Sequence, residues 1–281
     1  MSRPLLAIDG DSLAHRAYHA LPKSIRRAEG RPAGAIVGFA NMVVRLWQAE
    51  QPRTVFAGWD TLTEPTYRHE AFADYQSGRV FDADLLEQLP MLPEFVEALG
   101  FYVGKAAGFE ADDFLAAAVA DEERRGGETV VVTSDRDAFQ LASPRTTILQ
   151  PVRGVSELAR IGPAEVREGY GVDPSQVPDF IALRGDPSDK LPGARKVGPK
   201  TAADLLRQYG TLEAALEEGR FQAQAEELRL YRRIATLDAS APLPSLDDAT
   251  PKWAEASALA SKWGLGQLSR RLEAEAAGSS S

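Results

Sequence analysis

Cysteine is absent from this 281-residue chain. That one gap excludes disulfides, zinc–thiolate sites and thiol nucleophiles. Also missing is any uninterrupted apolar run of membrane-spanning length. The opening Met1-Ser2-Arg3-Pro4 leads straight into a short apolar strand rather than into a secretion signal. A cytoplasmic protein with no membrane partner is the simplest expectation. Positive charge is short as well, with 32 Lys and Arg against 41 Asp and Glu and a net charge of −9. That balance argues mildly against a nucleic-acid partner unless the charges are unevenly placed. What is present is the composition of a soluble globular chain, 44% hydrophobic and 26% charged, long enough for one large domain or two ordinary ones.

The acids are not scattered. Glu110, Asp112 and Asp113 fall within four positions, directly before the apolar run Phe114 to Val119. Acids in the first turn of a helix complement its dipole, which accounts for one of them. Three need more. Glu110 and Asp113 stand i, i+3 on one helical face, and converging carboxylates repel unless protonated or bound to a cation. Short apolar runs elsewhere predict strands at 5–8, 54–59, 101–103, 129–133 and 146–149, alternating with helices such as 35–49 and 92–99. That alternation predicts an α/β fold with a mostly parallel central sheet flanked by helices. Functional crevices in such sheets lie at the carboxyl ends of the strands, and Asp9, Asp60 and Asp135 with Asp137 stand at three of those ends. An acid there is commonly a cap or an Asx turn. Three, joined by the 110–113 cluster, favour a site for a hard divalent ion. His15 and His19 have i, i+4 spacing but no third ligand, and packing or surface roles suit them better. Residues 61–90 form a connection too long for an ordinary loop, which points to a lid or a functional loop.

From about Gly162 the strand signals end and helices separated by Gly and Pro take over. Asp186 and Asp189 stand three apart in a tight turn. The run Lys196-Val197-Gly198-Pro199-Lys200-Thr201 then leads into a helix, with Gly198 permitting a sharp turn, Pro199 suiting a first helical position and exposed amides suiting a phosphate. Between 184 and 207 six basic residues face three acids, which is the local positive surface that the net charge hides. Trp253 and Trp263 are expected as core anchors.

Taken together these segments resemble the 5′-nuclease family: the amino-terminal domain of bacterial DNA polymerase I and the related flap endonucleases. The match runs over nearly the whole chain. It comprises Ile8-Asp9-Gly10 with Arg16 to Ala20, Asp60 with Tyr67-Arg68-His69-Glu70, and Glu110-Ala111-Asp112-Asp113. It continues with Thr133-Ser134-Asp135-Arg136-Asp137, Gly185-Asp186-Pro187-Ser188-Asp189 and Val197 to Ala202. The resemblance implies a PIN-like nuclease core over 1–161 with a helical arch at 61–90. A helical DNA-binding module over 162–277 would follow, with a helix-hairpin-helix-type turn near 196–202, and 278–281 would be a disordered tail. It implies that Asp9, Asp60, Glu110, Asp112, Asp113, Asp135, Asp137, Asp186 and Asp189 hold two divalent cations, Mg or Mn, directly or through water. Glu110, Asp135 and Arg79 would serve catalysis. Tyr75, Gln76, Arg79, Lys196, Gly198, Lys200 and Thr201 would contact DNA, with a potassium ion in the turn. The implied partners of this monomer are DNA bearing 5′ flaps or 5′ ends, and a DNA polymerase or other repair proteins.

The chemistry agrees. Phosphodiester hydrolysis needs an activated water and a stabilised leaving oxyanion, which two metals supply, and Mg takes carboxylate oxygens. Of the 41 acids nine are candidates, and the other 32 equal the Lys and Arg count, so the whole negative excess lies in the candidate metal site. The chain departs from the family at Gln76, where Tyr-Lys-x-x-Arg is usual and the lysine helps the scissile phosphate. A neutral amide donates a hydrogen bond but no charge. Slower turnover or a shifted substrate preference is expected, with Arg79 carrying more of the task. Lys190 replaces the usual Asn and Pro199 the usual Glu, both expected to bear on DNA grip. The activity expected is that of a 5′-3′ exonuclease and flap endonuclease, from a stand-alone nuclease or a piece of a polymerase. Two other readings remain: a DNA-junction binding protein that cuts weakly or not at all, and a phosphotransferase with Asp9 as nucleophile.

Overall fold

In a computed structural model, which describes residues 3–62, 64–78, 80–153 and 157–278, the chain begins with β1 (Leu5–Asp9), α1 (Gly10–Ala20), α2 (Gly34–Glu50) and β2 (Thr54–Gly58). It continues with α3 (Tyr67–Ala71), α4 (Ala83–Leu86), α5 (Met91–Ala98), β3 (Tyr102–Gly104), α6 (Ala111–Arg124) and β4 (Thr129–Val132). Then come β5 (Thr146–Arg153), β6 (Glu157–Ile161), α7 (Pro163–Tyr170), α8 (Val177–Arg184) and α9 (Pro199–Tyr209). The last elements are α10 (Leu212–Glu217), α11 (Ala225–Ala235), α12 (Trp253–Lys262) and α13 (Gly266–Gly278).

The six strands form one sheet in the order β3-β2-β1-β4-β5-β6. β1 runs parallel to both β2 and β4, and only β6 is antiparallel. The order reverses between β1 and β4, so the crevice at their carboxyl ends is the topological switch point. Leu5 to Ile8 in β1 and Val130 to Val132 in β4 are continuous apolar runs because both sheet faces are covered. Leu5, Ala7 and Val131 enter one core with Phe114, Phe180, Leu206 and Leu228. Leu6, Ile8, Val130 and Val132 enter the other with Phe39, Phe95, Trp253 and Leu272. No helix among the described residues is long and apolar enough to cross a membrane.

Four details of the fold go beyond the sequence reading. The first concerns the helices after residue 162, which divide between the two cores. α7 to α11 close the first core, whereas α12 and α13 cross to the second, where Trp253 and Trp263 are buried. Second, β6 joins β5 at an edge where no strand signal was evident. Third, the arch over 61–90 contains, among the described residues, only the short helices α3 and α4. Arg68, Tyr75, Leu85, Gln88 and Leu89 are buried, because Leu85 and Leu89 repeat at helical spacing and Gln88 Oε1 accepts from Ala35 N (2.9 Å). Finally, Gly278 ends α13 rather than opening a tail, while 279–281 lie outside the described residues.

Candidate active site

β1 ends in Asp9, whose carboxylate accepts from Ser12 N (2.9 Å) and so caps α1, and from Thr133 Oγ1 (2.7 Å) beyond β4. The turn after β2 places Asp60, which accepts from Ala111 N (2.7 Å) at the start of α6. Its own amide donates to Asp11 Oδ2 (2.7 Å). Asp135 follows β4, with Oδ1 accepting from Asp137 N (3.0 Å). These acids, with Asp11, Glu110, Asp112 and Asp189, line a cleft of about 460 Å³. Its lining among the described residues contains no lysine or arginine. Close approach keeps the frame together. A Cβ on Gly10 would lie 2.4 Å from the Trp59 ring, so only glycine lets α1 start there.

Burial leads the electrostatics. It pushes the Asp9 carboxyl up to about 7, helped by the charges of Asp60 and Asp135 and opposed by the bonds from Ser12 and Thr133. Burial likewise raises Asp11 and Asp112 well above the usual carboxylate range, and raises Glu110. Asp137 is raised well above it by burial and then by Asp135, Asp189 and Asp186. A crowd of acids that resists losing its protons is one that a cation relieves.

One member of the 110–113 cluster turns away. Asp113 is fully buried and forms a two-pronged pair with Arg68 (2.9 and 2.8 Å), and its carboxylate also accepts from Glu110 N (3.0 Å) and Asp238 N (2.8 Å). It is a cap and an ion-pair partner, not a cleft acid, which corrects its expected metal role. Arg68 Nη1 also approaches Glu110 Oε2 (3.3 Å) and Asp112 Oδ1 (3.4 Å). Burial works against the guanidinium's charge, yet Asp112, Glu110 and Asp113 together hold its pKa well above the ordinary value. The convergence expected of this cluster is thus partly on a guanidinium.

The far wall comes from the 186–191 turn and from the end of the 61–78 segment. Asp189 Oδ1 accepts from Gln76 Nε2 (3.1 Å), which also donates to the Tyr75 hydroxyl (2.7 Å), and that hydroxyl donates to Glu110 Oε2 (2.9 Å). Tyr75 is therefore a buried brace of Glu110 rather than an exposed DNA contact. Asp186 pairs with Arg184 (3.1 Å) and accepts from Ser188 N (2.8 Å). Asp137 and Asp186 stand behind the cleft surface, both buried. Arg79 lies outside the described residues.

The donor set fits a hard divalent ion: it is all carboxylate oxygen, Asp9, Asp11, Glu110 and Asp189 are buried, and Asp112 Oδ1 is buried without a hydrogen-bond partner. Among the described residues no three Asp, Glu or His side chains already stand close enough to share one ion. His15 packs against Phe81 (5.2 Å) at the cleft edge. Sequence reasoning missed Asp11, Thr66 and Ser134. Thr66 Oγ1 donates to Glu110 Oε1 (2.8 Å), and Asp11, two residues past Asp9, was visible as a neighbour only.

Lys196, Gly198, Lys200 and Thr201 are exposed, and the first two line a separate groove with Arg195, Gln224 and Tyr231. Gly198 is extended there and a Cβ on it would meet nothing within 4 Å. The left-handed residue of the turn is Lys196 (φ 63°), which corrects the reading of Gly198 as the sharp bend.

Comparison with known proteins bears on all of this. Residues 4–171 match the model of the 5′-3′ exonuclease N-terminal resolvase-like domain, and 172–257 that of the 5′-3′ exonuclease C-terminal SAM fold. DNA polymerase I of Mycobacterium leprae is 43% identical over 215 residues, covering 76% of this chain and 24% of that protein. The thermostable DNA polymerase I of Thermus thermophilus is 36% identical over 250 residues, 85% of this chain and 29% of that protein. The chain thus spans about a quarter of the length of the polymerases it matches. Among solved structures, a bacteriophage T5 flap endonuclease complexed with DNA and metal ions shares the fold (TM-score 0.68, 18% identity, 96% of this chain and 98% of that one). The catalytic core of Rad2 in complex with DNA substrate does too (TM-score 0.60, 14% identity, 98% and 93%). Matched by both of its domain models from β1 to α12, the chain belongs to the 5′-3′ exonuclease family of nucleases.

Proposed function

We propose that the protein hydrolyses phosphodiesters at 5′ ends and 5′ flaps of DNA with two divalent cations, Mg or Mn, in the cleft. The observation that carries this reading is the gathering of seven carboxylates, one with a buried oxygen lacking any hydrogen-bond partner, at the switch point of the sheet. Asp9, Asp60, Glu110, Asp112 and Asp135 would hold one ion. Asp135, Asp137, Asp186 and Asp189 would hold the other, directly or through water. When bound, the ions supply an activated water and neutralise the leaving oxyanion. The chain's own part is to fix its oxygens. Ser12 N and Thr133 aim Asp9, Ala111 N aims Asp60, and Thr66 with Tyr75 aims Glu110. Exposed amides and lysines at the start of α9 would hold duplex phosphates, with Lys196, Lys200 and Thr201 as contacts and a potassium ion in the turn. Arg79 would contact the strand in the cleft. The protein would work as a monomer in the cytoplasm, beside a DNA polymerase and other proteins of replication and repair.

Gln76, a neutral amide on the cleft wall, favours one other reading, a junction-binding protein that cuts weakly. The test is cleavage of a labelled 5′-flap duplex in Mg²⁺ and in Mn²⁺, with binding measured in Ca²⁺. Wild type cuts near the junction, and Asp135→Ala lowers the rate by about a hundredfold or more while still binding. Tight binding without cutting in either metal would install the second reading.

A further inference from the structure

The turn that carries Asp186 and Asp189 also carries Lys190. Asp186 N donates to Leu191 O (2.9 Å) and Leu191 N to Asp186 O (2.8 Å), so the ends of the turn are zipped, and Leu191 is buried. Lys190 completes the turn in the left-handed region (φ 59°). Consecutive side chains therefore part: Asp189 enters the cleft and Lys190 is exposed beside it. Facing them is the end of the 74–78 segment, where Gln76 is also left-handed (φ 48°). The two turns meet at two points. Gln76 Nε2 donates to Asp189 Oδ1, and Lys190 Nζ donates to Ser77 Oγ, both at 3.1 Å. A Cβ on Gly78 would lie 3.8 Å from the same ammonium.

Charge gives this contact its meaning. Serine is a neutral partner, so the ammonium keeps its charge at the rim of a cleft lined by seven carboxylates and, among the described residues, by no lysine or arginine. Gln76 on the same wall is neutral, and Arg68 is buried among Glu110, Asp112 and Asp113. A phosphate entering between the two turns meets acids ahead and needs a cation at its side. Building on the nuclease reading above, we propose that Lys190 contacts the substrate: its ammonium leaves the Ser77 hydroxyl for a phosphate oxygen of the strand entering beside residues 76–78. That exchange replaces a bond to a neutral acceptor with one in which both partners are charged. The lysine stem is flexible enough to follow the strand. Ser77 is the resting partner that keeps the ammonium at the rim.

Lys190→Asn tests this cleanly, because asparagine tolerates left-handed backbone and the turn is kept. Lys190→Arg retains the charge. Cleavage of the flap duplex is measured in Mg²⁺, and binding in Ca²⁺ from about 50 to about 200 mM KCl. Lys190→Asn is expected to lower kcat/KM about tenfold, the order of one hydrogen bond to a charged group. It should also flatten the dependence of log Kd on log salt by about 0.7 to 0.9, one phosphate contact. Lys190→Arg keeps both, and adding Gln76→Lys to Lys190→Asn regains most of the loss, since the cation returns to the same wall. An unchanged rate and salt slope in Lys190→Asn overturns the proposal while leaving wild-type cutting, and the nuclease reading, in place. Should wild type bind without cutting, that reading fails, and the salt slope still decides for or against Lys190.

Discussion

At the scale of residues, the neighbours of a carboxylate decide whether it serves a backbone amide, a guanidinium or a cation. Asp112 and Asp113 are adjacent and divide these roles. Asp113 is buried in its pair with Arg68, so Asp113→Asn is expected to lower stability by about 3 kcal/mol, the order for breaking a buried ion pair. Burial raises the Asp112 carboxyl well above the usual carboxylate range, and its Oδ1 lacks a hydrogen-bond partner. Asp112→Asn should leave metal-free stability equal or higher and reduce Mg²⁺-dependent cleavage by about a hundredfold. Urea midpoints in EDTA and rates over an Mg²⁺ titration check both, and the reverse pattern would return Asp113 to the metal site. The cluster itself was legible in the sequence. Which acid turns away was not, because Arg68 reaches Asp113 across the fold and no local pattern announces a tertiary partner. Tyr75 and Gly198 were misread for related reasons: burial of the first and the left-handed φ at Lys196, not at the glycine, are set by surroundings.

At the scale of elements, the site depends on how α6 sits on β2. A Cβ on Gly58 would lie 2.6 Å from Ala111 O and 3.0 Å from Phe114 Cβ, so the missing side chain sets the height of the helix start. Its backbone does not require glycine, so Gly58→Ala is a pure contact change. It is expected to cost about 1 to 3 kcal/mol by overpacking. It should also slow cleavage, because lifting Ala111 disturbs Asp60, Glu110 and Asp112 together; a thermal melt and a flap-cleavage rate read the two effects. The parallel strands were legible because burial on both faces makes them continuous apolar runs. β6 was not, since Leu158, Ala159 and Ile161 break the two-residue alternation and are only half-buried at an edge that its pairing with β5 defines. Which part of the 61–90 connection is buried was not legible, because length signals a functional loop but says nothing of which leucines will find the core.

At the scale of the molecule, the buried acids tie stability to pH and metal. The folded chain keeps a proton on Asp9 up to about pH 7, whereas an unfolded Asp loses it near about 4. Between those values the folded state binds more protons, so stability falls as pH rises. Asp11, Asp112 and Asp137, also raised, pull the same way. Metal-free protein is therefore expected to melt about 3 °C or more higher near pH 5.5 than near pH 8, and Mg²⁺ should close the gap from the alkaline side. A metal-free melting point that climbs with pH would contradict the burial of these acids. The two cores carry a different consequence. The first is closed by residues no later than Leu246, whereas the second joins Leu6 and Ile8 to Trp253, Trp263 and Leu272. A ribosome delivers those pieces in order, so one side of the sheet can consolidate during synthesis while the other stays open until the last two helices emerge. For this chain, the order in which translation supplies its residues sets which face matures first.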